Sequence, residues 1–472
     1  MQNNYFVLFL KSPDCSIFQT YNIMKNYRTT NLLLIFLSLL LFSCSHGADK
    51  QNGANQTKTD NRTEIKWMGQ WFGEGKKENL IREIASDFSF RNQNYNVKLE
   101  FPHEMLKIDS KSNVYGAYLN ALTDMVNNNK WPYDLVLCDS YLYSAVANRN
   151  GDPHWGEKYL MDFSNEPWFI ESQKPSLFTK TNRNQSFGGM MPGAYIEGVW
   201  NVMYVSSVVE KKVGVTAKRH DMTFDDFTSY AKAVYDYNQS HSDKITFLFL
   251  PRTATIINQL AMSLLGKDST MNRQEGLAIL EQTYSEMEKI VPYKPLEKYI
   301  TSKNDKDIFP GKTFFTFNPS WISLIWQSRD PEGEKVMHPC EMPSFGDGKA
   351  TCYSGLYNAV FVVPKNAKNK EGAIKLMKFI CSQETAEKWE KYSKCPTGIK
   401  SKAVYSELAT SEINKFSQHI KAKYNDNLKE VNLAKVLLHS DKRIEFYQSQ
   451  VLRGELTTKE VMKKVKEQLA AK

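Results

Sequence analysis

The chain has 472 residues, of which 41% are hydrophobic and 24% charged, with a formal net charge of +9. The apolar content is too high for a disordered chain, and the length is natural for two domains rather than one. The basic residues are spread along Lys-rich stretches without an arginine-rich stripe or a nucleic-acid motif. The charge therefore predicts a solvated surface and no nucleic-acid partner.

The first 43 residues have the organisation of an export signal. Lys25 and Arg28 precede the apolar run Leu32–Phe42, which is too short to span a bilayer but suits a signal core. The run leads into Leu41-Phe42-Ser43-Cys44, which resembles a bacterial lipobox, and this resemblance implies a lipid on Cys44. We therefore expect a signal peptide over 1–43 and an exported protein, anchored to a bacterial membrane and facing the periplasm or the cell exterior.

A polar tether follows the lipid site. Residues 44–63 are rich in Asn, Gln, Thr and Gly and carry no apolar periodicity, which predicts a flexible linker. Met24 lies just before the basic and apolar parts of the signal and is a candidate for the true initiator. The folded part then covers 64–472, where no other apolar run approaches membrane-spanning length.

The first part of the folded chain alternates strands and helices. A strand at Glu64–Met68 is followed by an amphipathic helix, a strand at Asn96–Phe101, a second helix that carries Tyr115, and a buried strand at Tyr133–Leu137. This order predicts a parallel sheet covered by helices, with ligands at the loops beyond the carboxyl ends of the strands. Those loops contain Trp71, Glu74, Asp139 and Tyr141.

The stretch Gly189–Val205 is the centre of the predicted organisation. Its first half is rich in Gly and Pro, and its second half is an apolar run of strand length. Tyr195, Glu197 and Trp200 stand between the flexible and the buried part. This pattern is typical of a crossing between two lobes with a ligand cleft beside it. It also fits an ordinary loop that leads into a core strand.

The chain beyond the crossing predicts a second α/β unit. Thr223 and Asp226 form a candidate capping box for a helix, and a strand is expected at Ile245–Phe249. Phe314–Trp321 predicts a strand that ends in a Pro-containing turn and presents Trp321. Two α/β units joined by a crossing make an α/β fold with two lobes the economical interpretation.

The last third of the chain contains a further strand and several helices. Thr351–Lys365 predicts a turn and a buried strand, and Thr457 with Glu460 forms a second candidate capping box at the last helix. We divide the folded chain into a first lobe over 64–188, a crossing segment and second lobe over 189–337, the rest of the first lobe over 338–400, and C-terminal helices over 401–472 that pack back on the second lobe.

Five cysteines remain outside the leader and the lipid site. An exported protein can form disulfides, and an odd count leaves at least one thiol free. The sequence-local pairings to test are Cys340 with Cys352 and Cys381 with Cys395, which leaves Cys138. No cysteine spacing matches a zinc site and the eight histidines are scattered, so neither a metal nor a cofactor is predicted.

In this order the motifs resemble those of the family 1, carbohydrate-binding group of bacterial extracellular solute-binding proteins of ABC importers. The resemblance rests on the loop after the first strand and on Pro192–Gly198, Phe317–Trp321, Tyr357–Ala367 and Gly454–Glu460. It implies a two-lobed, periplasmic-binding-protein-like (type II) fold. In such a fold hinge segments join the lobes, and the ligand cleft lies between them.

By position, the resemblance implies the following ligand-binding side chains: Trp71, Glu74, Asp139, Tyr141, Glu197, Trp200, Trp321, Tyr357 and Asn358. Aromatic faces pack against the apolar faces of a sugar, and carboxylates and amides hydrogen-bond its hydroxyls. Trp200 and Tyr357 are equally suited to be core aromatics. The late ligand-contacting aromatic of the family falls near His439–Tyr447, where it has no clear counterpart.

The resemblance further implies a lipid-anchored, monomeric protein without enzymatic activity, which captures a carbohydrate and delivers it to the permease subunits of an ABC transporter. We favour an oligosaccharide as the ligand. An organic anion or a polyamine is the alternative within the same fold. Two further alternatives are a surface glycoside hydrolase, which would need two paired carboxylates, and a sugar sensor, which would need no permease. The sequence contains no Ser-His-Asp constellation, phosphate loop or zinc motif that would support catalysis.

Overall fold

The computed structural model describes residues 61–71, 75–102, 114–178, 187–250, 256–264, 273–296, 308–346, 353–393, 395–401 and 446–470, together with a few residues between 412 and 429. The predicted signal peptide, the lipid site at Cys44 and the candidate ligand residue Glu74 lie outside these residues. Among the helices of the described ranges, none combines the length and the apolarity that a membrane span requires.

The first elements in the chain are strands and helices in alternation, as predicted. They are β1 (Thr63–Met68), α1 (Gly75–Arg91), β2 (Tyr95–Glu100), α2 (Val114–Asn128), β3 (Val136–Leu137), α3 (Ser140–Asn150), α4 (Trp155–Tyr159), α5 (Pro167–Ser172), a 3-10 turn (Pro175–Phe178) and β4 (Gly193–Ala194).

The middle of the chain forms the predicted second α/β unit. Its elements are β5 (Glu197–Ser206), α6 (Ser207–Val213), α7 (Phe224–Ser240), β6 (Thr246–Phe249), α8 (Ile256–Leu264), α9 (Arg273–Glu288), a 3-10 turn (Val291–Tyr293), β7 (Thr313–Pro319), α10 (Ile322–Arg329), α11 (Pro331–Glu334), β8 (Met337–Cys340) and β9 (Tyr353–Asn358). The remaining elements are β10 (Phe361–Val362), α12 (Lys370–Ile380), α13 (Gln383–Ser393), β11 (Leu428–Lys429), α14 (Phe446–Leu452) and α15 (Thr458–Ala470).

The described strands form a 2-stranded sheet, a 3-stranded sheet and a 6-stranded sheet. The first two belong to one lobe and the third to the other. In the first lobe β1 and β2 pair in parallel, a bridge between Trp67 and Leu135 joins β1 to the β3 region, and β10 pairs antiparallel with both β3 and β4. In the second lobe the strand order is β11-β9-β5-β7-β6, with β8 also on β5. Of the described strand pairs in this sheet, β6 with β7 and β11 with β9 are parallel. The two-lobed α/β architecture is the one that the sequence predicts.

Helices cover the sheets through apolar faces at helical spacing. In α1 the buried face consists of Leu80, Ile81, Ile84, Ala85 and Phe88, which recur every three or four residues. At the start of α7 the Thr223 side chain accepts from the Asp226 N–H, and the Asp226 carboxylate accepts from the Thr223 N–H, so the predicted capping box is confirmed. Thr457 and Glu460 make the same reciprocal contacts before α15.

Three chain segments pass between the lobes side by side. Glu197 in β5 lies opposite Asn358 in β9. The Gly198 N–H donates to the Pro396 carbonyl (2.6 Å), and the Gly398 N–H donates to the Tyr195 carbonyl (2.7 Å). The stretch around Glu197 is thus a crossing rather than an ordinary loop.

The predicted lobe division at residue 338 lies within β8. β8 and β9 both pair with β5, whereas β10 pairs with β3 and β4. The predicted lobe boundaries stay a prediction. Short strands such as β8, with a proline inside, carry little sequence signal of the sheet they join. At the C-terminus, the Thr458 N–H donates to Glu288 at the end of α9, so α15 contacts the second lobe.

Among the described cysteines, neither of the two pairings to test forms a disulfide. Cys381 and Cys395 are both in the reduced form, and Cys381 Sγ accepts from the Gln173 side chain. The whole of α13 separates the two cysteines, and its 11 residues rise about 16 Å, whereas a disulfide needs Cα atoms within about 7 Å. Cys340 is also a free thiol that donates to the Met203 carbonyl, while Cys352 lies outside the described residues.

Candidate functional site

The carboxyl ends of β1 and β3 lie at one edge of the first sheet and hold most of the candidate residues. Trp71 follows β1 with a φ of 77°. A bulky residue in this left-handed region is rare, and such strain tends to occur at functional sites. The indole is 3% exposed and packs against Trp389, at 4.8 Å between ring centroids, and against Phe361 at 5.6 Å.

A buried ion pair fixes Glu197 beside this tryptophan. The Lys77 ammonium lies 2.5 Å from Glu197 Oε1, and the Trp71 indole N–H donates to Oε2 at 3.0 Å. Lys77 is 1% exposed and Glu197 9% exposed. Both carboxylate oxygens therefore have charged or polar partners within the first lobe, so that Trp71, Lys77 and Glu197 form one rigid unit.

Asp139 is held from three sides. It is the N-cap of α3 and accepts from the Leu142 N–H at 2.8 Å. The Tyr115 hydroxyl lies 2.5 Å from each carboxylate oxygen. The Asn358 side chain accepts from the N–H of Ser140, the next residue, at 3.0 Å. Residues from α2, α3 and β9 are thereby joined at one point.

Burial determines the protonation of Asp139. Desolvation of its carboxylate raises the pKa of Asp139 to about 6, in spite of the hydrogen bonds from Tyr115 and Leu142, which favour the charged form. The negative charge of Glu197 raises it further, which places the two acids near each other. A carboxyl group with a pKa this close to neutrality, at a strand-end edge, is a functional-site signal.

Two exposed tyrosines flank this acid. Tyr141, in the first turn of α3, is 51% exposed, and Tyr115 is 38% exposed with its hydroxyl turned toward Asp139. Desolvation of its hydroxyl, followed by the charge of Asp139, raises the pKa of Tyr115. The edge thus presents two aromatic rings to solvent above a buried carboxyl group.

The second lobe contributes Trp321. It lies two residues beyond the carboxyl end of β7 and is the N-cap of α10, with a half-buried side chain. The Ser320 N–H donates to the carbonyl of Trp200 in β5 at 2.8 Å, which ties this turn to the crossing. Trp200 itself is 1% exposed and is part of the core.

Tyr357 stands at the crossing and is also buried. The Lys174 ammonium lies 3.4 Å from its hydroxyl and 5.0 Å from the centroid of its ring. The structure thus brings together Trp71, Asp139, Tyr141, Glu197 and Asn358 at one edge, with Tyr357 next to Asn358 in β9 and Trp321 on the other lobe. Sequence reasoning missed the contributions of Lys77, Tyr115 and Lys174.

No protein-family model and no curated protein sequence matches the chain. Solved structures do match. A sugar transporter from Rhizobium etli in an open conformation is similar with a TM-score of 0.62 and 16% identity, over 87% of this chain and 100% of that one. Maltose-bound MalE3 from T. maritima gives 0.59 and 14%, over 87% and 99%. Apo RafE from Streptococcus pneumoniae gives 0.59 and 13%, over 89% and 99%.

These likenesses define the fold class. The chain has the two-lobed α/β fold of periplasmic solute-binding proteins, and the similarity extends over nearly the whole length of the solved chains. These neighbours are binding and transport proteins rather than enzymes by name. At identities of this size the likeness establishes the architecture, and the ligand has to be argued from the site itself.

Proposed function

We propose that this chain is an extracellular solute-binding protein that captures a carbohydrate, specifically an oligosaccharide, between its lobes and delivers it to an ABC permease. The observation that carries the proposal is the pair of exposed rings, Tyr115 and Tyr141, beside the buried carboxyl of Asp139. The face of an aromatic ring can pack against the apolar face of a pyranose, and the polar groups beside these rings can hydrogen-bond its hydroxyls. Trp321 on the second lobe would add an aromatic contact to the ligand when the cleft closes.

The internal compensation of charge at this edge favours a neutral ligand. Lys77 and Glu197 neutralise each other, so that of these three groups only Asp139, which accepts from Tyr115 and from the Leu142 N–H, adds at most one negative charge. A polyamine would need several carboxylates directed at the ligand, and an organic anion would need cations that are not already committed. A polar, uncharged sugar requires neither.

The binding test compares two aromatic variants. The purified full-length chain is titrated calorimetrically with maltotriose, raffinose, stachyose and xylotriose, and the sugar that binds is titrated into Tyr141→Ala. One ring stacked on a sugar contributes about 1 kcal/mol, so the Kd should rise roughly fivefold. The control is Phe90→Ala, because Phe90 is 82% exposed but stands 15 residues into α1, about 22 Å along the helix from Gly75.

Other outcomes would redirect the proposal. Binding of spermidine or citrate in place of every sugar would keep the fold and replace the ligand. Shortened sugar products after incubation, separated by chromatography, would make Asp139 and Glu197 a catalytic pair and sink the binding-only function. Equal affinities of Tyr141→Ala and the unchanged chain would remove the site from this edge.

We also propose that the chain is lipid-anchored through Cys44, on the strength of the basic residues, the apolar run and the lipobox-like end of the leader. Expression in a bacterial host with radiolabelled palmitate should label the unchanged chain and leave Cys44→Ser unlabelled and released from the membrane fraction. Membrane-bound, labelled Cys44→Ser would contradict the anchor without affecting the proposed ligand.

A further inference from the structure

Two histidines and a glutamate that are far apart in the sequence meet on the second lobe. One ring nitrogen each of His220 and His419 and one carboxylate oxygen of Glu341 lie within 4.8 Å of one another. His419 Nε2 is 2.5 Å from Glu341 Oε1, and His220 Nδ1 is 3.6 Å from the same oxygen. The two imidazole rings face each other with centroids 3.7 Å apart.

The backbone holds two of these residues in place before any ligand arrives. The Glu341 N–H donates to the carbonyl of Arg219 at 2.9 Å, and the Ser344 N–H donates to the carbonyl of Met222 at 3.0 Å. The segment that leads into α7 is thus hydrogen-bonded to the segment that follows β8. His220 and Glu341 stand next to each other because of these bonds, independently of their own side-chain contact.

The third residue comes from the C-terminal part of the chain. Phe416 and Ile420, on either side of His419, are buried. Lys423 lies 2.6 Å from Glu341 Oε2 and 2.7 Å from Asp221 Oδ1. This lysine occupies one oxygen of the buried carboxylate and leaves Oε1 directed at the histidines.

We propose that His220, Glu341 and His419 bind one divalent transition-metal ion of the zinc class. Two imidazoles and one carboxylate are a ligand set that zinc accepts at about 2.0–2.2 Å, whereas calcium and magnesium prefer oxygen ligands alone. The side chains of His220 and His419 are 44% and 33% exposed, which leaves an open path for the ion and a position for a water ligand. Lys423 would remain an outer partner that orients the carboxylate.

The surroundings agree with this assignment. The negative charges of Glu341 and Asp221 exceed the single positive charge of Lys423 by one, so half of the charge of an added dication is compensated. Because the ligands come from before α7, after β8 and the C-terminal part, a bound ion would tie that part to the second lobe.

Calorimetry on the full-length, tag-free chain after chelator dialysis tests the site with ZnCl₂ alone. We expect one equivalent of Zn²⁺ to bind and the Tm to rise. Loss of an outer partner commonly costs about 10–100-fold in metal affinity, so removal of a direct ligand in His220→Ala or His419→Ala should weaken the Kd by at least about 100-fold. His154→Ala is the matched control, since His154 is an exposed histidine paired with a glutamate elsewhere.

Cobalt provides a second readout. Co²⁺ in a site with two imidazoles and a carboxylate should give visible absorption bands that disappear in His419→Ala and persist in His154→Ala. Unchanged far-UV circular dichroism in chelator keeps the histidine variants interpretable. Absence of stoichiometric Zn²⁺ binding, or binding that survives in both His220→Ala and His419→Ala, would reduce the cluster to a hydrogen-bond network around Glu341.

Discussion

Removal of one member of the Lys77–Glu197 ion pair should destabilise the fold, because the other charge then stays buried without its partner. Both are desolvated, and a buried charge that loses its partner costs about 3–5 kcal/mol. Glu197→Gln should therefore lower the free energy of unfolding by about that amount, as measured by urea denaturation. The double variant Lys77→Met with Glu197→Gln should recover a large part of the loss, because no unpaired ammonium remains.

An exposed ion pair in α1, the helix that contains Lys77, shows how much a solvated pair contributes to stability by comparison. Arg82 and Glu78 are 2.8 Å apart at i,i+4, with side chains 42% and 18% exposed, and such pairs contribute about 0.3–0.5 kcal/mol. Glu78→Gln should change stability by no more than this. Equal effects of Glu78→Gln and Glu197→Gln would show that the Lys77–Glu197 pair is solvated in solution.

Asp139 should make the protein less stable as the pH rises. Its pKa is about 6 in the folded chain and about 3.9 when unfolded, so the native state binds more protons between these values. The stabilising contribution is therefore complete below about pH 4 and lost as the pH rises through about 6. A difference of about two units corresponds to about 3 kcal/mol.

The matched variant for this effect is Asp139→Asn, which keeps the N-cap acceptor but does not titrate. Urea denaturation at pH 4, 5, 6 and 7 should give a free-energy difference, variant minus unchanged chain, that increases by about 3 kcal/mol over this range. If the unfolding free energies of the two proteins changed with pH in parallel, the Asp139 carboxyl would be hydrated and would have an ordinary pKa.

Candidate site residues could be predicted from the sequence where they come just after the end of a predicted strand. Asp139 lies two residues beyond the end of β3, and a residue at the carboxyl end of a buried parallel strand is a candidate ligand group by topology. Lys77 could not be found in this way, since its partner lies 120 residues away and the local sequence is that of an ordinary solvated helix start. Tyr115 belongs to an apolar helical pattern, and only the tertiary structure turns its hydroxyl toward Asp139.

At the scale of elements, β4 depends on a glycine. A Cβ atom at Gly193 in β4 would lie 1.8 Å from the carbonyl oxygen of Phe361. Phe361 belongs to β10, the strand with which β4 pairs. Gly193→Ala must push β4 off β10 and should lower the free energy of unfolding by about 3 kcal/mol or more. Differential scanning calorimetry should detect a lower Tm.

Gly311→Ala is the control for this substitution. No heavy atom lies within 4 Å of a Cβ atom at that position, and its φ is not in the left-handed region. Replacing such a glycine commonly stabilises a protein by about 0.4–1 kcal/mol, because the unfolded chain loses freedom. A Gly193→Ala variant as stable as Gly311→Ala would mean that β4 and β10 do not pair as described.

Elements with strong periodicity were predictable and long-range pairings were not. The order β1-α1-β2-α2-β3 and the cap at Thr223 follow from apolar spacing and local side-chain chemistry, both of which act within a few residues. The pairing of β8 with β5, the reduced state of Cys381 and Cys395, and the meeting of His220 with His419 depend on contacts between distant segments. Local pattern contains no information on those contacts.

At the scale of the whole molecule, the three adjacent crossing segments make a hinge the natural consequence of the fold. The first lobe offers Tyr141 and the second offers Trp321, and a ligand shifts the equilibrium toward the closed form only if it contacts both. Small-angle X-ray scattering should therefore show a smaller radius of gyration with saturating sugar than without it.

Trp321→Ala separates binding from closure. This variant keeps the tyrosines of the first lobe and loses the aromatic contact of the second, so it should bind the sugar more weakly and compact less at the same saturation. Phe90→Ala should compact like the unchanged chain, because Phe90 lies far from the cleft edge on α1. If Trp321→Ala compacts fully, the second lobe grips the ligand through other residues, and the closing force lies elsewhere than at the end of β7.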